Sequence, residues 1–365
     1  MALVHQVLDV ARWAPSGDNT QPWRFEIVSD TEALVHAHDT RATCVYDLDG
    51  HASEVAHGAL LENIALAATR FGARAHDAVV ADDAAGRIVY RIVLERAEGV
   101  AADPLAPFIE TRTVERRAMR RVPLVAAQRA ALADAARGFE FLLFEGGDAR
   151  RRMAALNAAN AGIRLTIPEA YAVHKAVIAW DSTTSEDRLP DASLGAGPFL
   201  LATMRFAMAS WPRVHFLNRA AGGTLLPRLL LDVIPGVFCS AHFALIAPAE
   251  PVRASDHVAA GRAVQRLWLA ATGAGLALQP SYTPLVFARY AREGRRFTSM
   301  PDAARAAGRV ARRLDRLLGA EKSARAVFMG RVGPVRARAA GRSLRLPLER
   351  LIVTARSVEG ASRVR

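Results

Sequence analysis

The 365-residue chain has a hydrophobic fraction of 51% and a mean hydropathy of +0.09, which excludes a disordered chain. No apolar run reaches the ~18 residues of a membrane span and the N-terminus has no signal-peptide pattern, so we expect a cytoplasmic protein without a membrane partner. The net charge of +12 comes largely from a general arginine bias, and the arginine clusters lack interleaved aromatics, so no nucleic-acid partner is expected. Cys44 and Cys239 form neither a disulfide framework nor a metal-ligand spacing.

A polar loop at residues 14–25 separates a helical pattern over residues 3–13 from strand-like residues 25–28. Its sequence is Ala-Pro-Ser-Gly-Asp-Asn-Thr-Gln-Pro-Trp-Arg-Phe, and two prolines, a glycine and four small polar residues exclude a regular element. Asn19 and Gln21 each supply an amide acceptor and an amide donor, which suits the imide edge or the ribityl hydroxyls of a flavin. An isolated polar turn would instead satisfy its own backbone.

The run Ala-Pro-Ser-x-x-Asn-x-Gln-Pro-Trp resembles the flavin-contacting segment of the nitroreductase superfamily. Members of that superfamily bind FMN and transfer hydride from a nicotinamide to an acceptor. The resemblance implies that Ser16, Asn19 and Gln21 hold the ribityl chain and the pyrimidine edge of FMN. It says little about the substrate.

The elements predicted next are a strand over residues 33–38 that pairs with residues 25–28, a helix over 52–71, a strand over 88–94 and a linker over 97–107. His36 and His38 lie on one face of their strand, a spacing that can bind a metal. No third ligand is evident nearby in the sequence. We therefore interpret the two as half-exposed strand histidines and predict no metal site.

Residues 111–121 hold a concentrated run of arginines, Thr-Arg-Thr-Val-Glu-Arg-Arg-Ala-Met-Arg-Arg. By itself such a run indicates a solvated surface. It is similar to the Arg-Arg-Ser-x-Arg type segment with which the nitroreductase domain opens, and this implies that Arg112 and Arg116 bind the FMN phosphate. Val114 stands where the family usually has a hydroxyl residue, so that contact is missing or comes from Thr113.

Residues 168–238 are too long for a simple connection, and we predict a mostly helical insertion that forms a lid or a pocket wall. Its candidate substrate-pocket residues, which can stack on or protonate a substrate, are His174, Trp180, Trp211 and His215. Taken singly, each could equally belong to the aromatic core of a helical subdomain.

The remaining predicted elements are helices over residues 124–137, 148–164, 259–274, 285–293 and 301–319, and strands over 139–144, 240–246 and 326–332. By the same resemblance, backbone N–H groups near Gly275 and Leu276 face the flavin N5 and O4 region. The run Gly-Arg-Ser-Leu-Arg-Leu-Pro-Leu-Glu at 341–349 resembles the superfamily's C-terminal Arg-x-Pro-Leu-Glu. This implies that Arg345, and with it Arg342, closes on the FMN phosphate.

The helical runs that begin at Gly58 and Gly261 match each other, because both end in Leu-Ala-Ala followed by Thr. We interpret this as a degenerate duplication, although two Ala-rich helices can agree by chance. The predicted fold is α+β and nitroreductase-like, with two degenerate lobes at 1–105 and 106–365. Each lobe has a central, mainly antiparallel sheet flanked by helices, and the second also carries the insertion.

The flavin motifs are divided between these lobes, which resembles the fused branch of the superfamily. The resemblance implies a pseudo-dimer with one complete site, present as a monomer or as a homodimer of such chains. The predicted function is that of an FMN-dependent oxidoreductase, which reduces a nitro, quinone or other conjugated small molecule with NAD(P)H. No G-x-G-x-x-G follows a strand, so NAD(P)H would bind only transiently. The alternatives are a flavin-sequestering protein without turnover and a biosynthetic flavoenzyme that uses oxygen.

Overall fold

The computed structural model describes residues 1–83, 86–220, 222–337 and 340–354. Within these ranges the chain is a mixture of helices and mainly antiparallel sheets, which confirms the α+β prediction. The helices are α1 Leu3–Ala11, α2 His51–Arg70, α3 Ala126–Ala135, α4 Gly147–Arg164, α5 Pro168–Val177, α6 Pro198–Ala207, α7 Trp211–Ala220, α8 Leu225–Arg228, α9 Ile234–Val237, α10 Ala254–Gly273, α11 Thr283–Arg292, α12 Pro301–Leu318, α13 Ala320–Arg325 and α14 Leu348–Leu351. The strands are β1 Trp23–Ile27, β2 Glu32–Ala37, β3 Ala73–Asp82, β4 Ile88–Arg96, β5 Glu140–Phe144, β6 Ile178–Ala179, β7 Thr184–Ser185, β8 Leu189–Pro190, β9 Ala241–Ile246, β10 Ala277–Pro280, β11 Ala326–Gly333 and β12 Arg342–Ser343.

The first sheet has the strand order β1-β2-β4-β3, and its neighbouring strands are antiparallel. In β4, Ile88, Tyr90, Ile92 and Leu94 are buried while Arg91 is exposed, the period-two alternation of a sheet with one face in the core. That face packs against α1 and α2. The predicted hairpin of β1 and β2 is confirmed, whereas β3 was not predicted.

The second sheet has the strand order β10-β11-β9-β5 and is also antiparallel. All six residues of β9 are buried because helices cover both faces of the sheet. Ala244 and Ile246 pack with α4, α11 and α12, and Phe243 and Leu245 pack with α3 and α10. The predicted strands β5, β9 and β11 and the predicted helices α3, α4, α10, α11 and α12 are confirmed to within about five residues at their ends, whereas β10 was not predicted.

The helices α2 and α10 pack against each other at Gly58 and Gly261, the same glycines that begin the matching sequence runs. A Cβ added at Gly58 would lie 2.0 Å from the carbonyl oxygen of Val258, so no larger residue fits without a shift of the backbone. The division of the chain into lobes at 1–105 and 106–365 stays a prediction.

Residues 168–238 are mostly helical, as predicted, and contain α5 to α9. The short strand β7 in this insertion pairs in parallel with β12 near the C-terminus. In the part of the chain that the structure describes, no single helix is long and apolar enough to cross a membrane. Trp211–Ala220 and Leu225–Val237 have the length and composition only as a pair, which is bent by 85°.

Candidate functional site

The polar loop after α1 turns tightly, and three of its residues have a left-handed backbone conformation. Asp18, Asn19 and Gln21 have φ values of 50°, 64° and 49°, and Asn and Asp tolerate this conformation better than most residues. The amide nitrogen of Asn19 lies within hydrogen-bond distance of three carbonyls, those of Glu186 at 3.1 Å, Arg188 at 3.3 Å and Leu344 at 3.2 Å. The loop, the insertion and the C-terminal segment therefore meet at one side chain.

Gln21 ties the loop to the rest of the chain rather than facing a ligand. Its Nε2 donates to the carbonyls of Glu186 at 2.8 Å and Asn19 at 3.1 Å, and its Oε1 accepts from the N–H of Leu346 at 2.9 Å. The side chain is fully buried and does not line the adjoining cavity. The expectation that Gln21 contacts a flavin is corrected accordingly, because its hydrogen-bonding groups are already used.

A cavity of about 340 Å³ opens beside the loop and is built from both halves of the chain. Its wall includes Ser16 and Asn19 from the loop, the α2 segment 52–59, residues 112–116 and residues 341–345. The hydroxyl oxygen of Ser16 accepts from the N–H of Gln21 at 2.9 Å, while the Oδ1 of Asn19 is buried without a hydrogen-bond partner in the described structure. An acceptor is thus free at the cavity wall.

Three arginines meet at this cavity, and none of them forms an ion pair with a carboxylate within the described ranges. Arg112 is 4% exposed and Arg345 is 8% exposed, while Arg342 is partly buried. Arg112 donates to the carbonyl of Trp13 at 3.2 Å and lies 4.4 Å from the ring centre of Trp268, and its Nε has no partner. These contacts hold the guanidinium groups in place without neutralising them.

The positive charge of these arginines is concentrated in a desolvated space. Burial, and after it the nearby charges of Arg345 and Arg342, lowers the pKa of Arg112 well below its usual value. Burial, and then Arg342 and Arg12, lowers the pKa of Arg345 to about 9. Because both effects penalise the cationic form, a bound anion would relieve them. The arrangement is that of an anion site.

Arg116 lies at the same cavity but is linked to different neighbours. Its Nη1 donates to the carbonyl of Ser193 at 3.1 Å, and the charge that most favours its cationic form is that of Asp18. Burial raises the pKa of Asp18, and Arg116 and then Arg164 oppose this effect. The structure therefore brings together Arg112, Arg342 and Arg345 of the predicted phosphate ligands, while Arg116 lies at the same cavity under the influence of the Asp18 charge.

Several polar residues of the cavity were not predicted, Arg331 and Asn160 among them. Arg331 on β11 donates to the carbonyls of Arg116 at 2.7 Å and Arg117 at 3.0 Å, but its Nη1 is buried without a partner in the described chain. The Oδ1 of Asn160 on α4 is likewise buried without a hydrogen-bond partner in the described chain. The one sequence signal for Arg331 is a charged residue inside an otherwise apolar strand.

Residues 1–165 match the model of the Nitroreductase family. The match covers the first 165 of the 365 residues, so the similarity to this family is that of the first part of the chain. It supports the general class of the flavin oxidoreductases.

Solved structures similar to this chain include the FMN-dependent nitroreductase NfnB from Mycobacterium smegmatis in complex with NADPH. The identity is 18%, the match covers 69% of this chain and 98% of that chain, and the TM-score is 0.38. A nitroreductase-like family protein from Bacillus cereus is 13% identical, with 69% of this chain and 95% of that chain covered and a TM-score of 0.35. No curated protein matches the chain.

The four candidate substrate-pocket residues, His174, Trp180, Trp211 and His215, lie outside the cavity wall. His174 is within 3.0 Å of the hydroxyl of Tyr46, and burial followed by Arg164 lowers its pKa to about 3. Trp211 packs 5.8 Å from His215, and Trp180 is partly buried. None of the four therefore contributes to this cavity, and their assignment to a substrate pocket stays a prediction.

Gly275 and Leu276 also lie outside the cavity wall. Their N–H groups donate to the carbonyls of Thr272 at 3.1 Å and Ala271 at 2.8 Å, where α10 ends. The predicted contact of these groups with a flavin is therefore not formed by this backbone arrangement, since both donors are used by the helix end.

Proposed function

We propose that this chain binds FMN in the cavity and uses NAD(P)H to reduce a nitro, quinone or other conjugated small molecule. The observation that carries the proposal is the meeting of Arg112, Arg342 and Arg345 without a carboxylate partner among the described residues. A phosphate monoester carries about −1.5 to −2 charges at pH 7 and matches such a group through charge-assisted hydrogen bonds.

The loop residues also fit the polar parts of FMN. The Oδ1 of Asn19 is a buried acceptor without a partner in the described structure, and the hydroxyl of Ser16 accepts one hydrogen bond and retains its own proton for donation. These two groups would hold ribityl hydroxyls or the imide edge. Thr113 lines the same cavity and supplies a hydroxyl beside Val114, where the family pattern has one.

When bound, FMN supplies a ring that accepts hydride from a nicotinamide and passes it to an acceptor, while the protein supplies position and electrostatics. Burial, which outweighs the opposing charges of Cys239, Glu115 and Asp232, lowers the pKa of Arg331 to about 10, so this arginine stays cationic at pH 7. Its free Nη1 offers a hydrogen bond and positive charge to an electron-rich ligand in the cavity.

We further propose one flavin site for each chain. The cavity takes Ser16 and Asn19 from the proposed lobe 1–105 and the three arginines from the proposed lobe 106–365. Because each lobe supplies a different part of the wall, neither could hold FMN alone. This supports a pseudo-dimer that has one complete site.

A second candidate function is flavin binding without turnover. Leu231 and Asp232 of the insertion form part of the cavity wall, and β7 of the insertion pairs with β12, which contains Arg342. A wall closed in this way would keep the nicotinamide from a bound flavin. The two functions differ in whether NAD(P)H reaches the ring.

The test is to measure the flavin absorbance of the purified full-length chain, its FMN content after denaturation, and the change in that absorbance on anaerobic addition of NADPH and then of NADH. We expect about one FMN per chain and bleaching by at least one nicotinamide. Bound FMN that dithionite bleaches but neither nicotinamide does would favour flavin binding without turnover. A chain that cannot be reconstituted with FMN would refute the proposal.

A further inference from the structure

Three potential metal ligands meet where the N-terminal ends of α2 and α10 approach each other. His51 and Glu54 lie one turn apart on α2, and His257 lies on α10. One ligand atom from each residue lies within 4.8 Å of the others. The two imidazole rings are stacked with their centres 3.7 Å apart and their planes inclined by 23°. Two α2 ligands therefore face one α10 ligand.

Two of the three ligand residues are buried and have a polar atom without a partner in the described structure. Glu54 is 8% exposed and His257 is 5% exposed. The Oε2 of Glu54 and the Nε2 of His257 have no hydrogen-bond partner in the part of the chain that the structure describes. A buried carboxylate without a partner is costly, and a coordinated cation is one of the few groups that satisfies it.

The neighbouring arginines have carboxylates of their own. Arg289 contacts the ring of His51, but it also pairs with Asp49 at 3.2 Å and with Glu293. Arg41 pairs with Asp39. A cation at the histidines would compete with Arg289 for His51 and would leave both of the other ion pairs of that arginine in place.

We propose that His51, Glu54 and His257 bind one divalent transition-metal ion of the zinc type. Two histidines and one glutamate form a known kind of zinc ligand set, which leaves a fourth position for water or another ligand. In a tetrahedral Zn²⁺ site, ligand atoms at the ~2.1 Å bond length lie about 3.4 Å from one another. The three ligand atoms, which lie within 4.8 Å of one another, would therefore move closer together around a bound ion.

This site would be separate from the flavin site. The three ligands do not line the cavity, although Ala52, Val55 and Ala56 of the same α2 turns do. A bound ion would connect α2 to α10 and so fix the first half of the chain to the second. The sequence analysis did not consider this cluster, because His257 is far from the other two residues in the sequence.

The experiment uses full-length, tag-free protein that has been dialysed against a chelator and then titrated with ZnCl₂ in a calorimeter. We expect one strong site per chain and a higher melting temperature with Zn²⁺. Glu54→Gln and His257→Gln should each weaken Zn²⁺ binding at least about tenfold. Even the loss of a group that only hydrogen-bonds to a metal ligand lowers metal affinity by about that factor. His76→Gln is the matched control because that histidine is exposed, at 61% of its side chain, and lies elsewhere.

A second variant keeps the test valid if the ligand variants fold poorly. Arg289→Gln leaves all three ligands in place and removes the competing charge, so it should tighten Zn²⁺ binding. The proposal is overturned if the parent chain binds no Zn²⁺ at one ion per chain. It is equally overturned if folded Glu54→Gln and His257→Gln bind as the parent does, or if Arg289→Gln does not bind more tightly.

Discussion

Gln265 of α10 donates a hydrogen bond of 2.6 Å to the Oδ1 of Asn63 on α2, and both side chains are completely buried. Asn63 also donates to the carbonyl of Ala11 at 3.1 Å. This polar link lies in the same helix pair as the contact of Gly58 with Gly261. The close backbone packing and the buried amide pair together fix the position of α2 along α10.

Replacing Gly58 with alanine should destabilise the protein. The added Cβ would meet the Val258 carbonyl oxygen at 2.0 Å, and overpacking of this kind costs about 1–3 kcal/mol. Gly308→Ala on α12 is the control, because the nearest atom to its Cβ is a side-chain nitrogen at 3.6 Å. That change should stabilise the helix by roughly 0.5–1 kcal/mol. Urea unfolding measures both, and equal effects would contradict the helix contact.

Arg112→Met and Arg345→Met should weaken FMN binding, because each removes a positive charge from the proposed phosphate site. A lost charge-assisted hydrogen bond costs about 1.5–3 kcal/mol, which corresponds to about a 10–150-fold rise in Kd. Fluorescence titration of the apoprotein with FMN measures this. Arg137→Met is the control, since Arg137 is exposed and pairs with Asp134. An unchanged Kd in both site variants would remove these arginines from the flavin site.

Asn19→Ala should weaken FMN retention by roughly 1–3 kcal/mol, the scale of one lost buried hydrogen bond. The apoprotein should also lose stability, since the Asn19 amide bonds to carbonyls of the insertion and the C-terminal segment. Thr20→Ala next to it is the control, because its exposed hydroxyl bonds only within the loop, to Gly17. Flavin release on dilution and unfolding of the apoprotein are measured separately. Loss of stability with normal FMN affinity would limit Asn19 to a structural role.

Stability should fall as the pH is lowered from about 6.5 towards 4. Burial lowers the pKa of His57 and of His242 to about 4, while an unfolded histidine titrates near 6.5, so the unfolded state binds more protons in this window. Each such histidine contributes a slope of up to about 1.4 kcal/mol per pH unit. His242→Gln should reduce the slope by up to that amount. Urea unfolding at several pH values tests this, and an unchanged slope in His242→Gln would disprove it.

Much of the fold was predictable because apolar residues recur at regular helical or strand spacing in many segments. The β1–β2 hairpin, α2 and α10 follow directly from such patterns. The strand β3 was missed because Ala73–Asp82 is an edge strand with a largely exposed, mixed sequence, in which pairing with β4 decides the structure. Propensity alone carries little information about a strand of this kind.

Residues of the cavity could be predicted where they belong to a family motif. They could not be predicted from the chemistry of the side chain alone. Asn19, Arg112 and Arg345 were found through family motifs and do line the cavity. Trp211 and His174 were chosen for their chemistry, but the direction of a side chain depends on tertiary packing that a sequence pattern does not contain. Arg331 was overlooked for the same reason.

The Asn19 amide, which joins carbonyls of Glu186, Arg188 and Leu344, limits how this protein can be redesigned. A chimaera that exchanged the insertion for a shorter connection would leave this amide with fewer acceptors and β12 without its partner strand. Grafting the loop alone onto another scaffold would fail as well, because the carbonyls that accept from Asn19 lie outside the loop. The loop, the insertion and the C-terminal segment have to be transplanted as a single unit.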